Sequence, residues 1–264
     1  MQYSFMSFST PEATLEEMLA IAKRFGYDGI EPRLDSKHAH GIEVATSPAR
    51  RQQIKDRINA SGIKLACLAA SLSYADPEKT ASMILQTHDR IDLAGDLGAP
   101  VIRVFGGLFP DQIDREAATA CVADALLKVA AHASERGVTL CLETHDAWCN
   151  PEHVAAIMER VNHPAIAVNW DIMHPVRRGN ATMDSAFQAL KNWIRHLHIH
   201  DGPKEASGLL PIGQGDIDHK RALELLKTIN YRGFISGEWI NWEDYNVHLP
   251  REIATMRRYE AEIA

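Results

Sequence analysis

The sequence predicts one closed (β/α)8 barrel spanning residues 1–264, and three observations lead there. Eight short apolar stretches alternate with eight helical ones, with no linker or low-complexity tract between them. The length of 264 residues is close to the roughly 250 that such a barrel usually takes. Several of the apolar stretches end in an ionisable residue, where an inward side chain would reach the barrel mouth. An open doubly wound sheet is the alternative. It would usually carry a Gly-rich turn after its first strand, and Ser7-Phe8-Ser9-Thr10-Pro11 is not one.

Residues 3–8 read as the first strand. Thr14-Leu15-Glu16-Glu17 is a capping box, and Leu15, Met18, Leu19, Ala22 and Phe25 form one apolar helical face that Gly26 ends. Residues 29–33 make a second strand, followed by a loop with His38 and His40. Ser47-Pro48 opens a helix that Gly62 closes, and residues 63–72 form a third strand. A helix from about Pro77 stops near Gly98, residues 101–105 are a strand, and a helix from Asp114 stops near Gly137. Residues 138–143, 166–171, 196–200 and 234–238 are the last four strands, and an amphipathic helix over 251–263 ends the chain.

Charge and composition narrow the function. A net charge of −7 argues against a nucleic-acid surface, which needs a basic stripe. No stretch is long and apolar enough for a bilayer, and Met1-Gln2-Tyr3-Ser4-Phe5 lacks the basic start of a signal peptide. Cys67, Cys121, Cys141 and Cys149 form no CxxC pair, so reduced thiols and a cytoplasmic location are expected.

The most unusual stretch is Arg195-His196-Leu197-His198-Ile199-His200-Asp201, where imidazole alternates with aliphatic side chain at the period of a strand. A half-exposed His-rich strand is the plain reading; a barrel mouth built from ligands is the other. The same alternation puts Glu143, Asp171 and Glu238 on the inner faces of the neighbouring strands, at their carboxyl ends. Three carboxylates in one desolvated pocket would repel, and a divalent cation removes that conflict. Oxygen ligands with one imidazole suit Mn²⁺, Mg²⁺ or Co²⁺, with Zn²⁺ also possible. The competing reading pairs each carboxylate with its own Arg or Lys, but few basic residues lie near these strand ends. His196 is expected in the core one layer below. His145 and His200 are placed at the rim, where they could bind hydroxyls. Glu31 and Arg103 are expected to pair inside the barrel, with Arg103 able to reach a substrate carboxylate. Trp239, Trp242 and Tyr245 crowd the eighth loop, where aromatic faces could stack on a sugar or equally pack against a helix, and residues 208–216 form a Gly-rich loop that could close over a ligand.

Leu142-Glu143-Thr144-His145, Asp171-Ile172-Met173-His174, His198-Ile199-His200-Asp201 and Gly237-Glu238-Trp239 together resemble the xylose-isomerase-like TIM barrel superfamily of sugar phosphate isomerases and epimerases, strand by strand along the chain. The resemblance implies metal ligands Glu143, Asp171, His198 and Glu238. It implies Glu143 and Glu238 as the acid/base pair and His174 as a catalytic contact to the substrate or its carbonyl. Read singly, His145, Arg103, His200 and Trp239 are the expected substrate contacts. The resemblance further implies a small sugar or sugar-derived substrate, isomerised or epimerised through an enediolate, with a homo-oligomer possible. A dehydratase or lyase using a like metal site is the alternative, and a polyol-binding barrel without turnover a third. The superfamily's endonuclease branch carries extra histidines that Ala69-Ala70-Ser71 and Arg103-Val104-Phe105 lack. The arginine that 3-epimerases of free ketoses carry after the seventh strand is replaced by Gly202-Pro203-Lys204-Glu205.

Overall fold

In a computed structural model that describes all 264 residues, parallel strands alternate with helices around a barrel. The strands are β1 (Gln2–Met6), β2 (Gly29–Glu31), β3 (Lys64–Leu65), β4 (Leu68–Ser73), β5 (Val101–Phe105), β6 (Thr139–Glu143), β7 (Ile166–Asp171), β8 (Ile194–Ile199) and β9 (Phe234–Gly237). The helices are α1 (Leu15–Phe25), α2 (Pro48–Ser61), α3 (Pro77–Leu97), α4 (Arg115–Glu135), α5 (Pro151–Val161), α6 (Met173–Arg178), α7 (Met183–Leu190), α8 (His219–Thr228) and α9 (Tyr245–Glu262). The sheet runs β3-β2-β1-β9-β8-β7-β6-β5-β4, so its two ends are consecutive pieces of chain.

That order explains one departure from expectation. The third strand, read as continuous over 63–72, splits into β3 and β4, which form one stave of the barrel. β3 pairs with β2 and β4 with β5, so the stave changes partner in its middle. The seam is closed by Leu34 N–H to the Ala69 carbonyl at 2.9 Å and Ala69 N–H to the Pro32 carbonyl at 3.0 Å. Arg33 reinforces it: Nη1 donates to the Leu34 and Ala69 carbonyls at 2.7 and 3.0 Å. The eight staves are the predicted (β/α)8 barrel.

The helices start where the sequence placed their caps. The Thr14 hydroxyl accepts the Glu17 N–H while the Glu17 carboxylate accepts the Thr14 N–H, and Ser47 and Asp114 cap α2 and α4; α3, expected from about Pro77, is capped by Asp76. The last helix is the exception. It begins at Tyr245 rather than 251, because Asp244 accepts the Asn246 N–H and starts it ahead of Pro250. Proline in the second turn loses only the bond to the Asn246 carbonyl. No helix is long and apolar enough to cross a membrane.

The main core lies between staves and helices, where Leu140, Leu142, Val168, Trp170, Leu197 and Ile235 face outward from the barrel. A separate small cluster of Cys67, Val101, Cys141 and Ala167 fills the barrel interior at its lower end. Above that layer the inward positions turn polar, and the site begins.

Two residues after the end of β8, the buried Asp201 organises the long connection to α8. Its Oδ1 accepts the N–H of Gly202 at 2.8 Å and of Ile217 at 3.2 Å; Oδ2 accepts those of Gly213 at 2.8 Å and Gly215 at 3.1 Å. A Cβ at Gly215 would lie 2.2 Å from Asp201 Oδ1, so this approach requires glycine. Asp201→Ala would leave four N–H groups without their acceptor. We expect it to lower unfolding free energy in urea by about 3 kcal/mol and to speed hydrogen exchange across 202–217. A change within about 0.5 kcal/mol, the scatter of ordinary surface substitutions, would show that the loop holds itself.

Candidate metal centre

Four adjacent staves set the site. Register places Glu143 opposite Asn169, Asp171 opposite His198 and His198 opposite Ser236, two residues before Glu238. Period-2 alternation turns all four ionisable side chains into the mouth. Glu143, Asp171 and His198 are essentially buried and Glu238 is 6% exposed. One ligand atom from each lies within 4.8 Å of the others, so the four converge on one small volume.

His198 stands at its centre. Nδ1 is 2.6 Å from Glu143 Oε1 and 3.2 Å from Glu238 Oε2, while Nε2 is 3.0 Å from Glu31 Oε1. Glu31 is fully buried and also meets His196 Nε2 at 2.8 Å. Burial by itself would lower the His198 pKa, but Glu31, Glu143 and Glu238 outweigh it and hold it well above the usual imidazole value. Burial would raise Glu31, yet His198 and His196 keep it well below the carboxylate range. Glu238 follows the same balance: burial against His198 and Arg103 leaves it at about 2.

The Asp171 carboxylate is oriented by backbone. Its Oδ1 accepts the N–H groups of Met173 and His174 at 2.8 and 3.0 Å, leaving Oδ2 toward the cluster. Burial pushes Asp171 up, but His200 and His174 bring it below its ordinary value. His200 Nε2 lies 2.8 Å from Asp171 Oδ2, yet out of line for an N–H bond, so neither atom is satisfied. Arg103 Nε and Glu143 Oε2 are likewise 3.4 Å apart and both without a hydrogen bond. Glu143 Oε2 and Asp171 Oδ2 are thus buried oxygens without a hydrogen bond, and with Glu238 and the His198 ring in the same cluster they make the oxygen-rich, one-imidazole donor set that a divalent cation satisfies. The residues therefore fit such an ion.

Above the cluster, a cleft of about 220 Å³ is lined by His145, Met173, His174, Arg177, His200, Gly208, Leu209, Glu238 and Ile240. A larger groove of about 420 Å³ beside α1, lined by Ser9, Arg24 and Tyr245 among others, contains none of the converging groups. Burial lowers the pKa of His174, favouring its neutral form. His145 behaves oppositely: burial is outweighed by the Asp146 carboxylate, 2.8 Å from its Nδ1, with Glu143 beyond, and its pKa rises to about 9.

The structure thus gathers Glu143, Asp171, His198 and Glu238, with His145, His174 and His200 at the rim, and leaves two anticipated contacts elsewhere. Arg103 is 1% exposed, beneath Glu143 and against the Phe105 ring at 4.0 Å. Trp239 is also 1% exposed, its ring 5.2 Å from His248; its neighbour Ile240 faces the cleft instead. The expected Glu31–Arg103 pair does not form, because Glu31 is taken by two imidazoles and Arg103 lies on Glu143. Arg103 is also the basic group that the sequence did not place near these carboxylates. His196 does sit one layer down. Glu31's partnership with the histidines and the Asn169 amide donating to Glu143 Oε1 at 3.2 Å were not anticipated. The inward alternation of β2 and β7 carried that signal.

Fold and site together define a (β/α)8 barrel with an acidic, imidazole-centred candidate cation site at the carboxyl ends of its staves. The sequence pattern of the xylose isomerase-like TIM barrel matches residues 19–259, and the chain belongs to that family. An uncharacterized protein, MJ1311, of Methanocaldococcus jannaschii is 28% identical over 171 residues, 60% of this chain; the chain spans only 56% of that protein. The 2-epi-5-epi-valiolone 7-phosphate 2-epimerase of Actinoplanes sp. is 27% identical, covering 79% of this chain and 76% of that one. The L-ribulose-5-phosphate 3-epimerase UlaE of Salmonella paratyphi B is 26% identical, covering 82% and 79%. Among solved structures, a D-tagatose 3-epimerase-like protein superposes with TM-score 0.83 at 20% identity, covering 100% of this chain and 98% of that one. An L-ribulose 3-epimerase gives 0.81 at 21%, covering 100% and 96%. The probable 3-DHS dehydratase AsbF of Bacillus anthracis gives 0.78 at 18%, covering 97% and 99%. At these identities the structural likenesses establish the fold.

Because His198 carries a raised pKa, an ion must displace its proton to bind. Mn²⁺ affinity, measured by titration calorimetry, is therefore expected to weaken steadily as pH falls below that raised value. Asp171→Ala and His198→Ala should abolish stoichiometric binding while circular dichroism remains native. Binding by both variants at wild-type affinity would place the ion elsewhere.

Proposed function

We propose that this chain is a divalent-metal-dependent isomerase or epimerase of a sugar or sugar derivative, moving a proton through an enediolate. The observation that carries the reading is the convergence of Glu143, Asp171, His198 and Glu238 in one buried volume that meets a cleft at Glu238. The epimerases among its relatives support it. A cation held by those four side chains would supply Lewis-acid polarisation of adjacent substrate oxygens.

The chain's own groups account for the rest. Glu143 and Glu238 reach the centre from non-adjacent staves with His198 between them, so each can take or return a proton at a carbon held in the cleft. Asn169 and Arg103 orient Glu143 from below. His174, neutral and set by the Asp171 turn, can donate to a substrate carbonyl. His145 and His200 offer polar nitrogens to hydroxyls along the rim. Leu209 and Ile240 add hydrocarbon to the lining of the cleft.

Incubation with a panel of ketoses and ketose phosphates in D₂O should give deuterium incorporation without loss of water in at least one case. Glu143→Gln and Glu238→Gln should each slow that exchange by about 100-fold or more. Loss of water from the substrate would instead establish elimination. Unchanged exchange in both variants would remove the two carboxylates from the chemistry.

A further inference from the structure

The proposed reaction gives a role to every polar side chain lining the cleft except one. Arg177, on α6, lines the cleft but contacts none of the converging carboxylates. Its Nη1 donates to Met173 Sδ at 3.2 Å and its Nη2 to the Ala206 carbonyl. Both acceptors are uncharged, and no carboxylate pairs with this guanidinium, so its charge is not neutralised within the protein. The two buried arginines nearby differ. Arg103 lies against Glu143, and Arg33 spends its donors on the carbonyls of the barrel seam. Arg177 keeps the rest of its five donors available.

The surroundings favour an anion. Glu238 is the one acid lining the cleft, and it is engaged by His198. The other polar side chains there are His145, His174 and His200. Gly208, with no side chain, also lines the cleft, and nothing lies within 4 Å of where its Cβ would be. A planar guanidinium held by neutral acceptors is suited to bidentate pairing with phosphate or carboxylate.

We infer that the substrate carries a terminal anionic group, a phosphate ester or a carboxylate, and that Arg177 binds it. The inference rests on the enediolate reading for direction: with the reacting carbons at Glu143 and Glu238, the far end of the substrate lies toward Arg177. Arg177 is thereby a specificity-determining residue outside the acid/base pair.

The test is titration calorimetry of the Mn²⁺-loaded protein with fructose, fructose 6-phosphate and fructuronate, which share a carbon skeleton and differ in the terminal group. At least one anion should bind about tenfold or more tightly than fructose, and which one does so identifies phosphate or carboxylate. Arg177→Met should erase that preference, and Arg177→Lys should keep part of it. Equal binding of all three, no binding by any, or a preference unchanged in Arg177→Met would overturn the assignment. Deuterium exchange in the same samples separates the two claims. Exchange without an Arg177-dependent preference sinks the anion subsite alone, whereas Arg177-dependent binding with no exchange on any substrate sinks the enediolate reading.

Discussion

Four carboxyl groups, Glu31, Glu143, Asp171 and Glu238, are withdrawn from water at one end of the barrel, none more than 6% exposed. Removing an ionised carboxylate from water costs several kcal/mol even after relaxation, so such a group persists only with compensation. Arg103, His198 and His200 supply it in the protein, and His198 supplies most, touching three of the four acids through two ring nitrogens. Glu31, Glu143 and Glu238 hold the imidazole charged, and the imidazole keeps Glu31 and Glu238 ionised. Every other feature of the mouth is arranged around that mutual dependence.

The barrel makes the arrangement tolerable by dividing labour along each strand. Outward residues such as Leu142, Val168, Trp170 and Leu197 bury hydrocarbon against the helices and hold the staves rigid. Inward residues of the same strands can then be chosen for chemistry. Glu31 illustrates the result. By accepting the Nε2 side of His198 it leaves Nδ1 directed at Glu143 and Glu238, the side on which a cation would lie. The loop after β8 extends this order outward, because Asp201 ties four backbone N–H groups to the residue next to the rim histidine His200.

Much of this was legible in the chain because strand alternation is strictly local. Glu143, Asp171, His198 and Glu238 could be assigned to one face from their own strands, and the parallel order of neighbours did the rest. Helix starts were equally local, as Thr14, Ser47 and Asp114 show. What escaped depends on distant partners. The split of the third stave arises from which strand lies on either side, and residues 63–72 contain no mark of it. The Glu31–Arg103 pairing failed because both residues found stronger company on other staves. Trp239 was placed at the mouth by its position after Glu238, but its ring turns under the loop onto His248.

The central claim is that Glu143, Asp171, His198 and Glu238 share one cation, and anomalous diffraction from crystals soaked in Mn²⁺ tests it most directly. The account predicts a single strong peak bounded by those four side chains, at about 2.0–2.5 Å from a ligand atom of each. A peak bound instead by Glu31 and His196, or no ordered peak within the mouth, would contradict it.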